Sequence, residues 1–394
     1  MFDTINIGTT GLLTHAQGLR TVGNNLANVN TPGFKSGQLA FTDLFNQGTG
    51  GGQPEGPGTG GTGTGTGLGT LGTHINFKAG LDTSTGNPLD LNIDGNGFYA
   101  IERDGQILYT RAGGFHFDEK GILVNAAGEH VKALADGKLV DVNVETLNHS
   151  APKATAKVTF HSNLTSTVTT PPINPSLRSI AVYDADGVNR PINLSFKNTG
   201  GGAFEVTVTD AAGATLTTGT IKFASGFPVA DANSVAFSYA PAGTQAFDVR
   251  LDFSDNVTSL VDQTTLAMAA QDGYTAGVRT DQSIDGNGTI KVFYSNGQTA
   301  DGPRLALANF RSASELEERS GSAFAMKDGG QATYGHAGDA TFGTLRAGHL
   351  EGSNVDLAEE FGNLILMQRG YQASSHVIST ANEMIQQLFD MSRR

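Results

Sequence analysis

Few residues in this chain have the types and spacing that chemistry needs. Gly95-x-Gly97-x-x-Ala100 has the outline of a dinucleotide fingerprint, in which glycines let the backbone approach a pyrophosphate at a helix N-terminus. The residues around it, Phe98-Tyr99-Ala100-Ile101 included, alternate as strands do, and no strand–helix–strand unit encloses them, so the glycines read as a turn. Asp94-x-Asn96 and Asp285-x-Asn287 offer oxygens of the kind calcium takes, but neither continues into the further ligands and closing Glu of a calcium loop. The 9 His are scattered without zinc-ligand spacing, and Glu315, Glu317 and Glu318 read as a solvated face. With 0 Cys, thiolate ligands, disulfides and a cysteine nucleophile are all excluded. There is no nucleophile elbow and no phosphate-cradling loop. The expectation is a protein that is not an enzyme and has no cofactor, no metal and no catalytic residue.

Composition narrows the class. A length of 394 residues fits about two to four domains, and 53 Gly with only 16% charged residues point to a β-rich, turn-rich middle. The net charge of -13 argues against nucleic acid or an anionic membrane surface as partner. No apolar run approaches the ~20 residues of a membrane-spanning helix, so no membrane insertion is expected. No basic-plus-apolar leader is visible either, so an extracellular location implies export without a cleaved signal.

The elements that organise the chain lie at its two ends. Leu357, Leu364, Tyr371, Ile378 and Ile385 recur every seven residues, followed three places on by Met367, Ser374, Ala381 and Leu388, with Phe361 and Phe389 widening the stripe. Ser353 with Asp356 reads as a capping start, Glu359 and Glu360 suit the positive end of the helix, and Arg393 and Arg394 suit the other. A helix of that length would run roughly 57 Å and needs a partner for its stripe. The first thirty residues supply a weaker one: Leu12, Leu19 and Leu26, then His15, Val22 and Val29, with Ala16 and Ala27 alongside. Gly8, Gly11, Gly18 and Gly23 each cost this helix about 1 kcal/mol relative to Ala, so it is expected to order only when packed.

Between the ends the expected fold is α+β, mostly β: terminal helices forming a coiled-coil-like core domain, with antiparallel β domains nested between them. The core domain is assigned to 1–30 and 353–394, and extended Gly-rich connections to 31–75 and 330–352. An inner β domain takes 76–149 and 277–329, and an outer inserted β domain takes 150–276. Asn30-Thr31-Pro32-Gly33 stops the first helix. The Gly/Thr/Pro tract at 47–73 has the composition of a flexible linker or extended arm. From Leu89 onward the period changes to two, through turns at Gly95-Asn96-Gly97, Asp104-Gly105 and Glu119-Lys120-Gly121. Hairpin signals at Asp186-Gly187, Ala211-Ala212-Gly213 and Pro241-Ala242-Gly243 suggest a sandwich or barrel for the outer domain. Ile284-Asp285-Gly286-Asn287-Gly288 echoes Ile93 to Gly97 and marks strands returning to the inner domain.

Several stretches carry a resemblance to a known family. Ala27-Asn28-Val29-Asn30-Thr31-Pro32-Gly33-Phe34-Lys35 resembles the N-terminal signature of bacterial flagellar rod and hook proteins. Leu350-Glu351-Gly352-Ser353-Asn354-Val355-Asp356-Leu357, with Gln368-Arg369-Gly370-Tyr371-Gln372-Ala373, is similar to their C-terminal signature. Ile93-Asp94-Gly95-Asn96-Gly97-Phe98 and Tyr109-Thr110-Arg111-Ala112-Gly113 resemble their shared β region. The inserted outer domain, Gln271-Asp272-Gly273-Tyr274 and Tyr294-Ser295-Asn296-Gly297-Gln298 favour the hook branch, and junction proteins usually have Tyr and Arg where Phe34-Lys35 stand. The resemblance implies a subunit that polymerises into a curved tube, the flexible joint carrying motor torque to the filament. It implies self-association through the terminal helices, extracellular placement in the flagellum, and export through the flagellar type III apparatus. It also implies contacts with the distal rod, the hook cap and a hook-filament junction protein. Alternatives are a distal rod or other axial subunit, and a β-rich adhesin or carbohydrate-binding protein with the helices as a stalk.

Overall fold

The computed structural model describes residues 2–45, 65–168 and 174–392, in two compact units. The first comprises Met1–Glu145, Ser283–Lys291 and Asp301–Arg394, and the second Thr146–Gln282 and Val292–Ala300. The chain is mostly β, with one long helix at each end.

In the first unit, α1 (Phe2–Ala27) and α2 (Leu357–Ser392) lie antiparallel, Gly8 meeting Ile378, Gly18 meeting Met367 and Asn25 meeting Glu360. The glycines are the contact surface. A Cβ on Gly8 would stand 2.7 Å from Ile378 Cγ1, one on Gly11 2.7 Å from Ser374 Oγ, and one on Gly18 2.6 Å from Met367 Sδ. From the other side, a Cβ on Gly370 would stand 2.4 Å from the His15 ring. Reading these glycines only as helix penalties is therefore corrected: their missing side chains bring the two backbones together. Gly23 alone has nothing within 4 Å. Two boundaries also change. The first helix ends at Ala27, short of residue 30. The cap of α2 is Asp356, whose carboxylate accepts from the amides of Ala358 (2.8 Å) and Glu359 (3.2 Å). Ser353 turns its hydroxyl to the Val355 amide instead, one turn too early to start the helix. Arg393 and Arg394 lie outside the described residues, as do 47–64 of the Gly/Thr tract.

The rest of that tract is not a linker. β1 (Gly37–Phe45) and β2 (Gly65–Ile75) form an antiparallel hairpin against α1. The amide of Leu68 donates to Thr10 Oγ1 (3.3 Å) and its carbonyl accepts from Thr14 Oγ1 (3.2 Å), so helix threonines serve part of the strand's outer edge. The 330–352 stretch is likewise built into sheets: Ala332–Gly335 pairs with Leu307–Phe310, Thr344–Ala347 with Leu91–Asp94, and His349–Glu351 with Asp82–Ser84.

The expected meander from Leu91–Asp94 to Lys138–Asp141 is present, and most of it joins a ten-stranded sheet completed by returning strands such as Leu307–Phe310 and Ala323–Met326. Phe98, Tyr109, Ala308, Leu316 and Phe324 form a core there, with Tyr109 edge-on to Phe310 at 4.7 Å.

The second unit buries one continuous apolar core between two five-stranded sheets. The hairpins at 211–214 and 240–246 fall where the turn residues put them. The hairpin around Asp186-Gly187 is formed instead by Ser176–Ile180 with Ile192–Gly200, leaving Tyr183 only a single bridge to Asn189. The expectation of wholly antiparallel sheets is corrected: Lys157–Asn163 runs parallel to Phe247–Asp252 and to Val257–Thr258. The strands between them form the long crossover that a parallel pair requires.

Acidic groups in this unit are held ionised. Burial opposes the charge on Asp252, but hydrogen bonds from Lys157 (2.7 Å) and Ser254 (2.9 Å) outweigh it and bring the carboxyl down to about 2. Asp184, fully buried, is lowered likewise, by the amides of Val188 and Asp186 and by Arg190. A depressed folded-state pKa gives stability that is complete above about pH 4 and is lost as pH falls toward 2. We expect urea midpoints of the second unit, followed by far-UV circular dichroism, to fall across that window. Asp252→Asn should cost roughly 2 kcal/mol at neutral pH and nothing at pH 2; an equal loss at both pH values would refute the assignment.

Candidate functional site

The 27–35 and 350–357 stretches and the two β-region motifs quoted above meet in one place. After Ala27 the chain turns through Asn28, whose carbonyl accepts from the Thr31 amide (3.1 Å) and whose side-chain oxygen accepts from Thr31 Oγ1 (3.1 Å). Gly33 follows at φ +69, and a Cβ there would stand 2.3 Å from the Ala112 amide nitrogen, so only glycine fits. Its amide donates to the Glu351 carbonyl at 2.7 Å. Phe34 and Lys35 then enter the interior, Lys35 with 1% of its side chain exposed.

Glu351 is the hub, its side chain 2% exposed. Oε1 accepts from Lys35 Nζ at 2.5 Å and from the Gly80 amide at 2.9 Å, while Oε2 accepts from Arg111 Nη1 at 3.3 Å. Lys35 also donates to the Lys78 carbonyl at 2.8 Å. Arg111 reaches the carbonyls of Ile93 (3.2 Å) and Gly95 (2.7 Å), and its guanidinium carbon lies 5.2 Å from the Phe98 ring centre. Asn354 bridges the same strands: its carbonyl oxygen accepts from the Ser36 amide (2.7 Å), and its amide donates to Asn76 (2.6 Å) and Lys78 (3.0 Å). Burial pushes the Lys35 amine down, against the pull of Glu351, and the nearby Arg111 charge adds to the lowering. Burial likewise drives the Tyr99 phenol well above its ordinary range. One carboxylate thus neutralises part of the charge of two cations in a closed interior. That is a fastening, with each charge fixed by hydrogen bonds rather than poised to act on a ligand.

One turn further in, Asn25 links the helices to the hairpin. Its amide donates to Glu360 Oε1 (2.7 Å) and to the Gly37 carbonyl (2.8 Å), and its oxygen accepts from the Gly37 amide (3.0 Å).

The expected site residues divide into two groups. Gly33, Phe34, Lys35 and Asn354 come together at the hub, with Thr31 and Asn28 holding the turn that feeds it. Val22 is buried in the helix pair, while Leu12, Ala16, Leu19, Leu26, Val29, Leu364, Ile378 and Ile385 are half-buried. Leu357, Phe361, Tyr371 and Leu388 are exposed, as are Gln368, Arg369, Ala27, Asn30 and Pro32. Ser353 and Val355 are half-buried and Asp356 exposed as the cap. Glu351, Arg111, Asn25 and Glu360 do most of the joining; the sequence shows Glu351 and Arg111 only as members of motifs and Glu360 only as a charge at a helix start, and it does not single out Asn25. Their signal was a charged or amide residue standing inside an otherwise small or apolar stretch. Among the described residues no three His, Asp or Glu side chains cluster as a metal site.

Comparison with known proteins gives a consistent picture. Three protein-family models match: flagella basal body rod protein over 5–35, the D1 domain of flagellar hook protein FlgE/F/G over 92–169, and the C-terminal region of flagellar basal body rod FlgEFG protein over 346–391. The chain is 31% identical to the flagellar hook protein FlgE of Rhizobium meliloti, over 100% of both chains. It is 30% identical to that of Borreliella burgdorferi (98% of this chain, 99% of the relative) and 29% identical to that of Escherichia coli (97% and 98%). Among solved structures, Helicobacter pylori flagellar hook protein FlgE2 aligns over 68% of this chain and 100% of its own, at TM-score 0.48 and 14% identity.

Glu351 serves two cations and an amide, so its loss should cost more than that of either cation. Glu351→Gln is expected to destabilise the first unit by about 3–5 kcal/mol, because it strands Lys35 and Arg111 in the interior. Lys35→Met should cost clearly less, since Arg111 and Gly80 still satisfy the carboxylate. Urea unfolding of both variants measures the order, and equal losses would show that the hub is not shared.

Proposed function

The chain belongs to the flagellar hook protein family and is a hook subunit of the flagellum, and from that premise we propose that it polymerises through its terminal helices into the curved tube that carries torque from motor to filament. The observation that carries this reading is the apolar surface left open on α2. Leu357 (46% exposed), Phe361 (54%), Ile365 (51%) and Leu366 (63%) lie outside the face that α1 covers. Full burial of each such side chain contributes on the order of 1.5–3 kcal/mol. Four of them can offset the loss of freedom that two subunits suffer on association. A two-helix, coiled-coil-like core that completes its packing only against neighbours fits this surface, with Leu12, Leu19, Leu26, Ile378 and Ile385 inside each subunit's own pair. In this reading the domains nest as the sequence orders them, the helical core innermost in the chain's organisation and 150–276 an insertion within the inner β region.

The same reading extends to the ends of the tube, where the distal rod, the hook cap and a junction protein would present related helices. It also extends to delivery through the type III export apparatus. No helix among the described residues is long and apolar enough to cross a membrane.

Phe361→Ser with Ile365→Ser tests the proposal at residues whose exposure spares the subunit's own packing. The variant should keep the wild-type urea midpoint and form no tubes by electron microscopy. Tubes of normal abundance would mean that assembly runs through another surface.

A further inference from the structure

A cavity of about 210 Å³ opens beside the helix pair where α1, β1 and α2 meet, lined by Gly18, Val22, Leu39, Glu359, Glu360 and Met367 among others. Glu360 is only 6% exposed. Its Oε1 is taken by Asn25, but Oε2 is buried without any hydrogen-bond partner. Burial raises the Glu360 carboxyl, helped by the adjacent Glu359 and opposed by Asn25. A half-satisfied carboxylate at the wall of an open cavity is costly for an isolated subunit, since a buried unpaired acceptor forfeits its hydration.

The described helices contain two basic side chains of the Lys/Arg type, Arg20 and Arg369. Both are exposed, and neither makes an ion pair or side-chain hydrogen bond among the described residues. Arg369 extends the exposed row Leu357, Phe361, Ile365 by one more step of four, so a neighbour packing on that ridge meets its guanidinium. It cannot serve its own subunit: Glu360 lies nine residues back, about 13 Å along the axis and on another face. We infer that the Glu360 cavity receives the Arg369 guanidinium of a second copy of this chain. The charges match, Gln38, Glu359, Glu360 and Asn363 give the cavity wall polar groups that a guanidinium can meet, and the contact is heterologous, cavity to ridge. Contacts of that kind build open helical polymers rather than closed dimers. This rests on the polymerisation reading above and adds the pair of atoms that joins one subunit to the next.

A double-mutant cycle on polymerisation tests it. Glu360→Gln keeps an acceptor for Asn25 and should unfold no more easily than wild type as a monomer. Glu360→Gln and Arg369→Gln should each raise the critical concentration for tube growth about tenfold, and together no more than either alone, as a coupled buried pair requires. Losses that multiply to about a hundredfold would overturn the pairing, and coupling of Glu360 to Arg20→Gln in place of Arg369→Gln would do the same. Because the chain has 0 Cys, Glu360→Cys and Arg369→Cys subunits can also be mixed and treated with a short bismaleimide. A cross-linked dimer in tubes, and none between subunits of one kind, is expected; tubes without that dimer would overturn the pairing. Wild-type protein that forms no tubes would instead sink the polymerisation reading beneath it.

Discussion

The structure of the first unit depends on a single buried carboxylate. Glu351 stands where Gly33, Lys35, Gly80 and Arg111 converge, and its own strand pairs with Asp82–Ser84. Moving a carboxylate and two cations out of water is expensive, and their mutual attraction repays it only where geometry and extra hydrogen bonds are good. Here the backbone supplies those bonds, through the carbonyls of Lys78, Ile93 and Gly95 and the Gly80 amide. The cluster gives directional bonds where an apolar plug would give only volume. It fixes the chain leaving α1 and the chain entering α2 against the same β framework.

That fixation matters because the helix pair is weak in its own right. α1 contains four glycines, and a helix of such composition does not hold its shape in water. Three of those glycines are what allow α2 to approach until Ile378, Ser374 and Met367 touch the α1 backbone. The arrangement exchanges local helix propensity for close contact. It also explains the division of α2 into a face spoken for by α1 and a flank of larger apolar side chains that α1 is too slim to reach. A subunit built this way has a settled β framework and a helical end with an apolar flank that α1 leaves uncovered.

Much of this was legible in the sequence, and the failures have physical causes. Both helices announced themselves through seven-residue spacing, and most hairpins through their Gly-containing turns. The glycine face was misread because propensity is a local quantity, while the contact that redeems Gly8, Gly11 and Gly18 lies some 350 residues away in the chain. β2 was hidden because Gly65, Gly67, Gly69 and Gly72 erase the side-chain alternation by which strands are recognised. Parallel pairing of Lys157–Asn163 with Phe247–Asp252 leaves no local mark at all. Ser353 and Asp356 read together as one capping start for α2, but only Asp356 accepts from the helix's first amides. Lys35 was visible as part of a motif, but its partners Glu351 and Arg111 come from two other segments, so the charge balance appears only once they are brought together.

Native-state hydrogen exchange at four amides addresses the central claim most directly: Gly33 on the Glu351 carbonyl, Gly80 on its carboxylate, Gly352 on Leu81, and Ser36 on Asn354. If the hub is one cooperative fastening, these amides exchange through a common opening and share one protection free energy. Neutralising Glu351 should then lower all four together. If Gly33 and Ser36 open independently of Gly80 and Gly352, the two terminal segments are held separately and the hub does not join them.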